Sequence, residues 1–285
     1  MNRRRFLQQP LALAALGLGG PVWAQAQENL WAGIERDVGG RLGVAVLDTA
    51  DGGLRGHRLD ERFPMCSTFK WLAAACVLSR VDTGQERLER RIRYGRDVLL
   101  AHSPVTKQHV SDGMTVAELC EAAITVSDNA AGNLLLQSVG GPAGLTRYLR
   151  TLPDTATRLD RREPALNEAT PGDPRDTTTP RAMAQDLRAA LLGDALKPAS
   201  REQLVRWMEA TRTNTRRLRA ELPEGWRLGS KTGTGERGST NDVGVFWPPG
   251  RAPIVVAVYL TATRAPEEAR NGAIARVARG ITAAG

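Results

Sequence analysis

The hydrophobic pattern is densest over residues 64–78, Pro-Met-Cys-Ser-Thr-Phe-Lys-Trp-Leu-Ala-Ala-Ala-Cys-Val-Leu, where almost every position is apolar. A run of that length without a polar face predicts a helix buried on all sides. Ser67 and Lys70 interrupt it. Three positions apart, they share one helix face, so their side chains can meet. A lysine there loses hydration, which favours its neutral amine, and a neutral amine beside a hydroxyl is a base beside a nucleophile. Ser67 also sits near the helix start, where unpaired N–H groups and the dipole favour developing negative charge. The alternative is a lysine that snorkels out of a core helix and a serine that caps it.

The same periodicity, read along the rest of the chain, places the other elements. Leu30, Ile34 and Val38 mark one face of an amphipathic helix over 28–38. A strand follows over 41–48, and Asp51-Gly52-Gly53 turns it into a second strand that runs through His57. The stretch 82–96 is polar. Thr115-Val-Ala-Glu118 is a capping box opening a helix through 123. Another helix, 130–139, ends at Gly140-Gly141, and Pro142 begins the next. Residues 153–180 hold five prolines and no periodicity, the mark of a functional or disordered loop. Helices are predicted at 180–192 and 201–210, the latter capped by Ser200-Arg-Glu-Gln203. Strands at 226–231, 242–247 and 254–262 and a helix from about 266 to 281 close the chain. Strands at both ends and helices in the middle predict an α/β layer built from both termini, with an all-helical insertion.

Composition removes several classes of function. Residues 1–26 carry Asn2-Arg3-Arg4-Arg5-Phe6-Leu7, a short apolar stretch, and small-residue cleavage sites after Ala24 or Ala26. They read as a twin-arginine export signal, too short in its apolar part to span a membrane once matured. No later stretch is long and apolar enough to span, so the expected product is periplasmic. Removing the signal's three arginines, which no acid accompanies, leaves 36 basic against 31 acidic residues, a net charge of +5. No basic block or aromatic-basic interleaving points to nucleic acid. Cys66, Cys76 and Cys120 lack zinc-type spacing, and none of His57, His102 and His109 has a Ser-His-Asp motif around it. No metal or cofactor is expected, and nothing suggests an obligate interface, so a monomer is.

Three further clusters bear on Ser67 and Lys70. Ser127-Asp128-Asn129 falls in the break between two helices, where side chains can point into a cleft. Lys231-Thr232-Gly233-Thr234-Gly235 ends a strand with two glycines, which let a backbone edge approach a ligand closely. Glu163-Pro-Ala-Leu-Asn167 lies in the long loop. Singly, each is also explained as a helix-break cap, a solvated strand end or a polar loop.

Together, S-x-x-K, S-D-N and K-T-G in this order are the signature of class A β-lactamases and penicillin-binding proteins. From about residue 28 onward the chain resembles a class A serine β-lactamase. Arg161-Arg-Glu163-Pro-Ala-Leu-Asn167 through Arg175-Asp176 is similar to that family's omega loop, with Arg161 and Asp176 as the ion pair at its neck and a cis bond at Glu163–Pro164. The resemblance implies an α/β (α+β sandwich) fold. Residues 27–60 and 211–285 would form a five-stranded antiparallel sheet flanked by N- and C-terminal helices. Residues 61–210 would form an all-helical domain that includes an omega loop at 158–176.

The resemblance also implies roles. Ser67 would attack the lactam carbonyl to form an acyl-enzyme, with Lys70, or Glu163 through a water, taking its proton. Ser127, near Lys231, would pass a proton to the departing ring nitrogen. The N–H groups of Ser67 and Thr234 would form an oxyanion hole. Glu163 and Asn167 would hold the hydrolytic water. Asn129 would bind the drug's amide side chain, and Thr232, Gly233 and Thr234 would line the edge that takes its carboxylate. Arg217 would supply the carboxylate-binding guanidinium, since Thr240 replaces the arginine many members carry and Asn271, beside Arg270, stands at a third possible position. His102 occupies the place of an aromatic gating residue. Family disulfides are not expected, because their partner positions are Ala74 and Gly235 here, so three free thiols are. A D,D-peptidase or a covalent drug sensor would share the nucleophile, but the first lacks a deacylating carboxylate. The second needs a membrane helix or output module.

Overall fold

The computed structural model describes residues 20–283, with side chains from residue 27 onward. Residues 1–19 of the predicted export signal lie outside that range, and residues 20–26 fall within the first helix. Eight helices are present among the described residues: α1 (Gly20–Val38), α2 (Phe69–Asp82), α3 (Val116–Thr125), α4 (Asn129–Ser138), α5 (Gly141–Leu149), α6 (Pro180–Leu191), α7 (Pro198–Glu209) and α8 (Glu267–Thr282). The strands are β1 (Arg41–Asp48), β2 (Leu54–His57), β3 (Phe63–Pro64), β4 (Arg91–Ile92), β5 (Met114–Thr115), β6 (Thr177–Thr178), β7 (Arg227–Thr234), β8 (Thr240–Trp247) and β9 (Ile254–Thr261). None of the described helices is long and apolar enough to cross a membrane.

Five strands form one antiparallel sheet in the order β2-β1-β9-β8-β7. Each of its two faces covers a core, and the sequence alternation decides which residue serves which. On β9, Ile254, Val256, Val258 and Leu260 pack with Trp31 and Ile34 of α1 and with Ile274 and Val277 of α8. Val255, Ala257 and Tyr259 point the other way, into the core shared with α2, α3 and α6. Helix α2 lies at the centre of that second core, with residues 69–78 all buried. The capping box at Thr115 forms as predicted: Glu118 N–H donates to the Thr115 hydroxyl (3.2 Å) and Thr115 N–H to the Glu118 carboxylate (2.7 Å).

Three boundaries differ from the sequence reading. The central helix does not begin at Pro64, which pairs in β3. A 3₁₀ turn over Cys66–Thr68 precedes α2, and Cys66 has φ 47°. Helix α7 starts at Pro198, whose ring suits the first helical turn, so Ser200 is interior and donates to Asp82 (2.6 Å) instead of capping. The strand predicted to end at Lys231 runs further: β7 ends at Thr234, within the Lys231–Gly235 segment.

Candidate active site

Ser67 stands on the 3₁₀ turn just before α2 and is 8% exposed. Its hydroxyl donates to Glu163 Oε1 at 3.0 Å. Lys70, the second residue of the buried helix α2, reaches the same oxygen at 3.1 Å. Its ammonium also donates to the Ser127 carbonyl (2.7 Å), to Asn129 Oδ1 (2.6 Å) and more weakly to Ser127 Oγ (3.3 Å). The expected meeting of Ser67 and Lys70 is thus mediated by a third group, Glu163. Burial lowers the Lys70 pKa, because desolvation penalises the ammonium, while the neighbouring Glu163 carboxylate pulls it back up. Gly132 on α4 makes room for this lysine: a Cβ there would lie 2.9 Å from Lys70 Cε.

Glu163 enters from the long loop and is held from several sides. The Asn167 amide donates to its Oε2. Asn133 clamps its main chain, donating to its carbonyl (2.9 Å) and accepting from its N–H (3.0 Å). The Glu163–Pro164 bond is cis. At the neck of the loop, Arg161 Nε donates to Asp176 at 2.6 Å, and the Asp176 carboxylate also accepts the N–H groups of Asp160 and Arg161. This is the ion pair the motif implied.

Ser127 lies between α3 and α4 with φ 60°, a left-handed backbone that non-glycine residues adopt at a cost of about 1–3 kcal/mol. That conformation turns its hydroxyl toward Lys231, whose Nζ donates to it at 3.0 Å. Asp128 holds the turn by capping α4 at Ala131 and accepting from the N–H groups of Val105 and Thr106. Lys231 is fully buried, and desolvation, reinforced by the charge of Lys70, drives its pKa well below the ordinary lysine value.

The edge of β7 carries the remaining predicted residues. Thr232 Oγ1 is 2.5 Å from Thr213 Oγ1. Arg217 is buried behind this edge, donating to the carbonyls of Gly233 (2.9 Å) and Asn241 (2.8 Å), to Thr234 Oγ1 (2.8 Å) and to Asn271 Oδ1 (2.8 Å). Gly235 admits no side chain, since a Cβ would sit 2.6 Å from Cys66 Sγ. Across from Thr234–Glu236, Pro164, Ala165, Asn167 and Glu168 complete an open depression of about 640 Å³. His102 is exposed at the rim, its Nε2 2.9 Å from the Val126 carbonyl, while its own carbonyl accepts from Asn129 N–H (2.8 Å). Asn133 and Thr213 escaped the sequence reading. Asn133 lies one turn beyond Asn129 on the same helix face, a spacing that could have flagged it; Thr213 has no such signal.

A nucleophilic serine bonded to a carboxylate, flanked by two buried lysines and a second serine, on this sheet-and-helix frame, defines a serine hydrolase. The model of the β-lactamase enzyme family matches residues 25–284, and the chain belongs to that family as a class A β-lactamase. It is 45% identical over 283 residues to β-lactamase CTX-M-8 of Citrobacter amalonaticus, covering 98% of this chain and 97% of that protein. It is 44% identical over 280 residues to the carbapenem-hydrolysing β-lactamase KPC of Klebsiella oxytoca, covering 98% and 96%. Among solved structures, the class A β-lactamase of the last common ancestor of Gram-negative bacteria is 64% identical, with a TM-score of 0.90 over 91% of this chain and 99% of that one.

Proposed function

We propose that the chain hydrolyses the β-lactam ring of penicillins and cephalosporins, and so confers resistance, with the roles divided as follows. Ser67 Oγ attacks the lactam carbonyl, losing its proton to Lys70 or, through a water, to Glu163. The carbonyl oxygen becomes an oxyanion facing the N–H groups of Ser67 and Thr234, each such donor contributing about 3 kcal/mol. Collapse breaks the C–N bond, and the ring nitrogen takes the proton relayed through Ser127, which Lys231 orients. Glu163 then removes a proton from a water positioned with Asn167. That water attacks the ester, and Ser67 leaves with a proton regained. Asn129 takes the substrate's amide side chain. Thr232, Gly233 and Thr234, backed by Arg217, take its carboxylate, and His102 borders the entrance. The observation that carries this reading is the Glu163 carboxylate, 3.0 Å from the Ser67 hydroxyl, because only a deacylating carboxylate separates turnover from permanent acylation.

We further propose that the protein is exported to the periplasm by the twin-arginine route with residues 1–26 removed. It then acts there as a monomer of two domains, 27–60 with 211–285, and 61–210. No cofactor, nucleic acid or membrane contact is part of the reading. The deciding experiment uses Glu163→Gln, which keeps size and most hydrogen bonds. After mixing with a penicillin, intact mass should show a lasting adduct on Ser67 and turnover should fall by orders of magnitude. Turnover at the wild-type rate would remove Glu163 from deacylation.

A further inference from the structure

Ser230, Thr232 and Thr234 alternate along β7 and so share one face of the strand. The segment 211–217 tracks that face. Thr211 Oγ1 donates to the Ser230 carbonyl (2.6 Å) and Asn214 Nδ2 to Ser230 Oγ (2.9 Å). Thr213 Oγ1 is 2.5 Å from Thr232 Oγ1, and Arg217 Nη2 donates to Thr234 Oγ1 (2.8 Å). Thr213 itself is exposed, but the chain holds it in place on both sides: Arg212 N–H donates to the Thr125 carbonyl at the end of α3 (2.9 Å), and Asn214 is tied to Ser230. The two outer contacts differ in what they fix. A guanidinium only donates, so Thr234 accepts from Arg217 and keeps its own proton for a ligand. Between Thr213 and Thr232 either hydroxyl can donate, and each has a single proton. If Thr232 donated inward, it would turn lone pairs to the substrate. If Thr213 donates, the Thr232 proton is left to point outward.

We propose that Thr213 is a positioning residue for the carboxylate site: its hydroxyl donates to Thr232 and so turns the Thr232 proton toward the substrate's carboxylate, as Arg217 does for Thr234. This rests on the carboxylate-binding role given to Thr232 and Thr234 above. A carboxylate is an acceptor only, so it selects the arrangement in which both threonine protons face outward. Each of those hydroxyls then donates to a charged group while accepting from a donor behind it, and bonds chained in this way polarise and strengthen one another. Thr232 has the greater need of such a partner. It is 5% exposed, so little water reaches its oxygen, and without Thr213 that oxygen loses its donor at the moment its proton is given to the substrate.

The test compares the wild-type enzyme with Thr213→Val, which keeps the shape without the hydroxyl, with Thr213→Ala as a second hydroxyl-free variant, and with Thr213→Ser, which keeps the hydroxyl. Thermal unfolding establishes that each is folded. For a carboxylate-bearing penicillin, kcat/KM should fall about 3- to 10-fold in both hydroxyl-free variants, through KM, and stay near wild type in Thr213→Ser. With the methyl ester of the same penicillin, which carries no carboxylate, the loss should largely disappear. In a Thr232→Val background, Thr213→Val should add nothing, because the group it acts through is gone. Unchanged or raised kcat/KM in the folded hydroxyl-free variants would overturn the proposal, a rise meaning that Thr232 donates inward. Equal losses on acid and ester would overturn it as well, and so would failure of both hydroxyl-free variants to fold, which would place Thr213 in the scaffold. A wild-type enzyme that turned over no penicillin would instead defeat the functional reading, an outcome distinct from all of these.

Discussion

At the scale of single residues, the cleft shows how much depends on groups that touch no substrate. Arg217 uses its planar fork on two carbonyls of adjacent strands, a threonine hydroxyl and an asparagine, so its position is set before any ligand arrives. Burial lowers its pKa from the ordinary arginine value, yet a guanidinium stays charged across the working range. Arg217→Ala should lower kcat/KM for penicillins by about 1.5–3 kcal/mol, the range for hydrogen bonds to charged groups, with KM rising. Arg270, which donates to Thr240 Oγ1 at 3.3 Å, should cost much less when replaced by alanine. Equal, small losses from both changes would take Arg217 out of the site. The motif residues were legible in the sequence because each motif is contiguous. Asn133 and Thr213 were not, because what recruits them is packing across elements far apart in sequence.

At the scale of elements, the sequence located every main-sheet strand and every helix among the described residues, and missed mainly where tertiary contact overrides a local signal. In the sequence, Gly233 reads as a place where a backbone edge can approach a ligand closely. In the fold it lies within β7, and what its missing side chain permits is close approach to residue 65: a Cβ there would meet the Met65 carbonyl at 2.7 Å. The connection of α6 to the stem of the omega loop was equally hidden. Asp186 of α6 and Asp154 are both buried, at 0% and 1% exposure, within hydrogen-bonding reach of each other. Arg150, the nearby cation, spends its donors on the carbonyls of Asp154 and Thr157. Desolvation first, and then the Asp154 charge, push the Asp186 pKa well above the ordinary value of 3.8. A carboxyl raised in the folded state binds its proton more tightly there than when unfolded. Its contribution is therefore full below pH 3.8 and is lost as pH rises through the folded value. Asp186→Asn holds the neutral form at every pH. Its melting temperature should match wild type in acid and exceed it at pH 8, by the few degrees that about 1–2 kcal/mol gives a chain of this size. A variant less stable than wild type at pH 8 would show that the pair is not sharing a proton.

At the scale of the whole molecule, the sheet is covered on both faces, so α1 and α8 depend on the same strands that support the catalytic layer. The three cysteines report on that arrangement. Cys66 precedes the nucleophile, Cys76 lies on α2 and Cys120 on α3; all are free and buried. Burial pushes the thiols of Cys66 and Cys76 up to about 12, and that of Cys120 upward as well, so in the native state almost no thiolate is available to react. A thiol reagent can then label them only through opening of the fold. Denatured, unreduced protein should give three equivalents, and one equivalent would mean that a pair had formed. In native protein the three should react slowly and together if opening is global, with the rate set by the stability of the whole fold. Cys66 is the discriminating position, because its sulfur abuts Gly235 and its neighbour Ser67 is held by the omega loop. Labelling of Cys66 well ahead of Cys76 and Cys120 would show that the loop and the β7 edge open as a unit of their own. Simultaneous labelling would show that the cleft is as stable as the core behind it.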